Sequence, residues 1–163
     1  MAKSDIALRK TDTIFDEVDK LQQQISERAY DLFCNREGFW GDALSDWLRA
    51  ERELVFAPPV ELRQKDGRFE ILAALPGVDV KDVDVRVTPE DVLIRTAVNH
   101  EHKSQDGTVH VCELESRKAF RSIHLPEKID PDSVKADYRN GLLRLTAAVA
   151  GEVVPAKPGI RAA

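Results

Sequence analysis

Four residues on one short stretch have the types that bind metals or move protons. His100, Glu101, His102 and His110 lie in NHEHKSQDGTVH. An extended chain sends alternate side chains to the same side, so His-x-His presents both imidazoles together, a pairing suited to a transition metal. No convincing fourth ligand accompanies them, and a solvated loop with ordinary histidines accounts for the same residues, so no metal or other cofactor is expected. His124, beside a Leu-Pro turn, reads as an ordinary surface or partly buried residue. Cys34 and Cys112 lack the CxxC spacing of a zinc site or redox pair and are expected as buried, reduced, small apolar side chains. Nucleophilic hydrolysis would need an activated Ser or Cys with a base and an orienting group, yet GxSxG, a catalytic-cysteine signature and HExxH are all missing. A glycine-rich phosphate loop is missing too. Carboxylates gather in turns such as Pro89-Glu90-Asp91 and Asp130-Pro131-Asp132, which assigns no acid/base pair. The expectation is a protein with no catalytic residues, not an enzyme.

The elements around these residues divide the chain in two. At 163 residues, 42% hydrophobic and 33% charged, it suits one main domain with an appendage. A net charge of −5 offers no basic footprint for phosphates, so nucleic acid is not an expected partner. Nothing resembles a membrane span, and MAKSDIALRKTD has no secretion-signal core, which points to a cytoplasmic protein. Residues 1–56 carry −4 of the −5.

That acidic front end is helical in pattern. Ile14, Val18, Leu21, Ile25, Ala29 and Leu32 recur at steps of three and four, which predicts an amphipathic helix over 13–33 capped by Asp12. A second helix starts near Asp42, with Leu44, Trp47, Leu48 and Leu54 at the same spacing. Phe33, Phe39, Trp40 and Trp47 cluster at the join. Two such helices on a short connection bury their stripes in a helical hairpin. Arg28-Ala29-Tyr30-Asp31-Leu32-Phe33, Arg36, and Asp46 to Leu54 resemble a short bacterial domain of unknown function with the pattern RAYxLxxxRG followed by DWLxAExEL, departing by one residue at Glu37. Around Trp47, helix packing and a sticky partner-binding arm both fit.

Pro58-Pro59 ends helix continuation, and the period then changes to two. Strand patterns run over 60–65, 68–75, 83–87, 92–98, 119–125, 134–139 and 142–149, with a weaker one at 109–114. Asp66-Gly67 and Asn140-Gly141 supply two-residue hairpin turns, and all eight prolines fall between elements or at their ends. Seven or eight short strands without an intervening helix predict a mainly β fold, an antiparallel immunoglobulin-like β-sandwich preceded by the helical hairpin. The expected division is 1–57 helical arm, 58–149 sandwich and 150–163 flexible tail.

The order of ILAALPGVDVKDVDVRV, DVLIRTAV, RSIHLPEKIDPDSVKADY and finally Ala136-Asp137-Tyr138-Arg139-Asn140-Gly141-Leu142-Leu143 resembles the α-crystallin domain of small heat shock proteins of bacterial and plant type. The octet fits that family's A-x-x-x-n-G-V-L signature with Leu142 in the valine position. The resemblance implies an ATP-independent holdase that keeps partly unfolded client proteins from aggregating. It also implies a homodimer made by exchanging a small strand, here residues 109–114 with Val109, Val111 and Leu114, beside an interface arginine at Arg121. Arg117 and Ala119 stand where the family often has Gly and Phe. Family tails end in an Ile-x-Ile or Val-x-Val knob for larger assemblies; here Val153, Val154 and Ile160 lack that i, i+2 spacing. Clients are expected to meet Phe33, Phe39, Trp40, Trp47, Leu142 and Leu143. The alternative is a dedicated interaction or co-chaperone module on the same sandwich.

Overall fold

A type I′ two-residue turn, whose twist matches that of the flanking antiparallel strands, requires positive φ at both of its residues. Asp66 and Gly67 do so at 50° and 69°, and Asn140 and Gly141 at 51° and 77°. The computed structural model describes residues 6–36, 41–103, 107–114 and 116–151. In chain order these form β1 (Ala7–Lys10), α1 (Phe15–Cys34), α2 (Ala43–Leu54), β2 (Val55–Phe56), β3 (Val60–Lys65) and β4 (Arg68–Ala74). They continue through β5 (Asp84–Val87), β6 (Asp91–Val98), β7 (Arg117–His124), β8 (Lys135–Arg139) and β9 (Leu142–Ala148). One sheet has the order β3-β4-β9-β8 and the other β1-β5-β6-β7-β2.

The sandwich core follows from the period of two. Phe69, Ile71 and Ala73 of β4 are buried beside Leu143, Leu145 and Ala147 of β9, and Ile71 lies opposite Leu145 in the register. Val85 and Val87, Val92 and Ile94, and Ala119 and Ile123 supply the facing sheet. Burial of side chains this size contributes about 1.5–3 kcal/mol each, so the two inner faces dominate the energetics. The signature octet is a packing device. The Asn140-Gly141 hairpin abuts the chain at Leu75-Pro76, where the Leu75 amide donates to the Gly141 carbonyl at 2.7 Å. The Tyr138 hydroxyl reaches the Leu75 and Val78 carbonyls at 2.8 and 2.9 Å, and burial, helped by Asp79, raises its pKa.

Four expectations need correction. Asp12 does not cap α1: Ile14 occupies the cap position, and Thr13 Oγ1 accepts the Phe15 amide at 3.1 Å. The front end is not purely helical, because β1 and β2 join the five-stranded sheet in parallel with β5 and β7. Residues 109–114 form no strand, and Val109, Val111 and Leu114 are exposed. Both cysteines are exposed, Cys34 at the end of α1 and Cys112 in the loop after β6, where no core surrounds them.

Candidate functional site

The charged residues of the front-end motif hold the helical hairpin together. Arg28 Nε and Nη2 both bond Glu53 Oε2 at 2.8 Å, joining α1 to α2. Arg36 pairs with the buried Asp46 and donates to the Gly41 carbonyl at 2.5 Å. Asp42 caps α2 by accepting the Ser45 amide at 2.7 Å. Ala50 is completely buried, as a small side chain at a close helix contact must be. Because polar pairs do much of the joining, large apolar groups are left outside. Tyr30 and Phe33 are 67% and 58% exposed with ring centroids 6.5 Å apart, and Leu44 and Leu48 are exposed on α2. Trp47 is half-buried. Phe39 and Trp40 lie outside the described residues, as do Val153, Val154 and Ile160 of the tail.

The hairpin docks on the outer face of the five-stranded sheet. Glu17 of α1 bonds Arg86 Nη1 at 2.8 Å and pairs with Arg95, which also pairs with Asp84. Burial pushes the Glu17 carboxyl up, but Arg95, Arg86 and Lys20 outweigh it and hold it below the usual range. Leu93 points away from the sandwich interior yet is fully buried, so this outer face is covered.

At the rim of the sandwich the chain covers one of its own edges. The Ala7 amide donates to the Val83 carbonyl at 3.2 Å and the Thr11 amide to the Val87 carbonyl at 3.0 Å, which satisfies backbone groups of β5. Ile6 packs against the core, and Lys10 pairs with Asp132 near the start of β8. The sequence signal was present in Ile6-Ala7-Leu8, two apolar side chains at strand spacing, but four residues flanked by charge carry little periodicity. β3 and β8 remain at the edges of the other sheet.

The remaining candidates separate. Leu142 is 41% exposed, whereas Leu143 is fully buried and belongs to the core, so it offers no surface to a client. Arg121 follows the inward parity of Ala119 and Ile123, and its Nε is buried without a hydrogen-bond partner among the described residues. His100 and His102 do come together, with ring centroids 4.7 Å apart. The third group beside them is Cys112, and His110 is not among the residues gathered there. His124 Nδ1 bonds Asp91 Oδ1 at 2.8 Å on the surface.

Comparison with known proteins fits this geometry. Residues 20–55 match the family described as Protein of unknown function (DUF2934), the span of the helical hairpin. Spore protein SP21 of Stigmatella aurantiaca is 34% identical over 101 residues, covering 62% of this chain and 60% of that protein. A probable 15 kDa heat shock protein of Leptospira interrogans is 30% identical over 63% of this chain and 77% of its own length. Among solved structures, heat shock protein 16.0 of Schizosaccharomyces pombe superposes with a TM-score of 0.54 at 27% identity, over 63% of this chain and 94% of that one. A small heat-shock protein of Xylella fastidiosa, at 24% identity, shares the fold with a TM-score of 0.52 over 63% of this chain and 94% of that one. The model of the Hsp20/alpha crystallin family matches residues 61–160, essentially the whole sandwich, and the chain therefore belongs to that family.

Proposed function

We propose that this chain is an ATP-independent holdase that captures partly unfolded proteins on exposed apolar surface. The observation that carries the reading is the outward set Tyr30, Phe33, Leu44 and Leu48 on the hairpin. Such surface is non-directional and accepts many sequences, which suits a client whose only common feature is exposed core. Phe39, Trp40 and Trp47 extend the same arm in sequence, and Leu142 adds apolar surface at the final hairpin. Shielding needs no nucleotide and no cofactor, and the reading is of a protein working in the cytoplasm.

The assembly unit is a homodimer in which residues 109–114 of one chain add to an open sheet edge of the other, such as β3. Three features support it: Val109, Val111 and Leu114 are exposed within one chain, β3 is an edge strand, and Arg121 Nε has no hydrogen-bond partner among the described residues. Strand exchange would satisfy backbone groups at that edge and bury the three apolar side chains. The test is heat- or reduction-induced aggregation of several unrelated clients without ATP. Suppression of all of them near equimolar ratio is expected, with Phe33→Ser plus Leu44→Ser weakening it. Protection of one client alone would identify a dedicated interaction module instead.

A further inference from the structure

The loop after β6 gathers two imidazoles, two residues apart, and a thiol from ten residues further on. His100 and His102 leave the end of β6, and Cys112 returns to them from the far side of the loop, where Cys112 Sγ lies 3.4 Å from His100 Nε2. One ligand atom from each of the three lies within 4.8 Å of the others. The arrangement has a foundation in the backbone. The His100 amide donates to Ser116 Oγ at 2.9 Å, and the Ser116 hydroxyl donates back to the His100 carbonyl at 3.2 Å, closing the base of the loop.

We propose that His100, His102 and Cys112 form a three-ligand site for a borderline-soft divalent metal, Zn²⁺ by chemistry. A zinc ion takes thiolate sulfur at about 2.3 Å and imidazole nitrogen at about 2.0 Å, so adjacent ligand atoms of a tetrahedron stand roughly 3.3–3.6 Å apart. The His100–Cys112 edge already has that length. His102 and Cys112 are exposed and His100 half-buried, so the remaining closure needs only side-chain rotation. One thiolate and two imidazoles select zinc over magnesium or calcium, which take oxygen ligands. On binding, the Cys112 thiol gives its proton to solvent, both imidazoles bind as neutral bases, and water takes the fourth position.

The experiment titrates metal into the full chain after chelator treatment, with Zn²⁺ competing against a chromophoric chelator and Co²⁺ as the spectroscopic probe. One metal per chain is expected, with a thiolate-to-cobalt charge-transfer band. Cys112→Ser should abolish that band, and it, His100→Ala and His102→Ala should each weaken zinc at least about tenfold, as loss of a direct ligand must exceed loss of an outer-shell partner. His110→Ala and Cys34→Ser should bind like the parent. All five variants are at exposed or loop positions, and circular dichroism checks each for the parent fold. Binding unchanged by Cys112→Ser, equal loss with His110→Ala, saturation at one metal per two chains, or no binding at micromolar zinc would each overturn the proposal.

Discussion

Leu142 and Leu143 differ by one position and by a whole side of the sheet. Leu143 is fully buried among Phe69, Ile71 and Leu145, while Leu142 is 41% exposed. Leu143→Ala should therefore cost about 2–5 kcal/mol in urea unfolding, and Leu142→Ala less than about 0.5 kcal/mol. Glu17 supplies a pH-dependent contrast. Its carboxyl pKa is lowered in the folded chain because Arg95, Arg86 and Lys20 outweigh the opposing effect of burial. A depressed carboxylate pKa contributes stability that is present above the unfolded value and is lost as pH falls through the folded one. The stability difference between the parent and Glu17→Gln should thus be largest near neutral pH and shrink below about pH 4, the unfolded carboxylate range. Equal differences at both ends of a pH series of denaturant melts would contradict the ion-pair cluster. Alternation along β9 is what separates Leu142 from Leu143, although the expectation that clients meet both leucines did not draw on it, and the structure puts Leu143 in the core. The partners of Glu17 were not, because Arg86 and Arg95 lie some seventy or more positions away.

Elements repeat the lesson at longer range. The β4–β9 core and both hairpins could be read directly, because Asp66-Gly67 and Asn140-Gly141 fix turn and register together. A β-carbon at Gly141 would meet only ordinary contacts near Pro76, so Gly141→Ala acts through its φ of 77° and should cost about 1–2 kcal/mol in chemical denaturation. Asp12 and Thr13 are both good capping types, yet the α1 cap falls on Ile14, which has no polar side chain to cap with, and Thr13 Oγ1, just outside it, accepts only the Phe15 amide. β1 was missed altogether, since its pairing with β5 is non-local and its four residues have no turn to announce them. Removing residues 1–11 should open the β5 edge and the core beneath Ile6. Increased binding of an apolar dye is the expected readout, and unchanged dye binding would show that the edge is not held by this segment.

At the scale of the whole molecule, two sequence families meet in one chain: a polar-stitched hairpin that leaves aromatic side chains outside, and a sandwich that matches the Hsp20/alpha crystallin family. The sandwich was readable because its motifs stand in order along one continuous stretch, whereas the proposed exchange of residues 109–114 would need a second chain that no single sequence positions. Deleting residues 109–114 should lower the light-scattering mass to that of a monomer while the fold persists by circular dichroism; an unchanged mass would place the interface elsewhere. The central claim is capture of unfolding proteins by apolar surface without ATP, and client aggregation measures it most directly. Turbidity of three unrelated heat-labile proteins, with the intact chain near equimolar ratio and no nucleotide, should stay low, and Phe33→Ser plus Leu44→Ser should raise it. Full aggregation of all three clients in the presence of the intact chain would contradict the account.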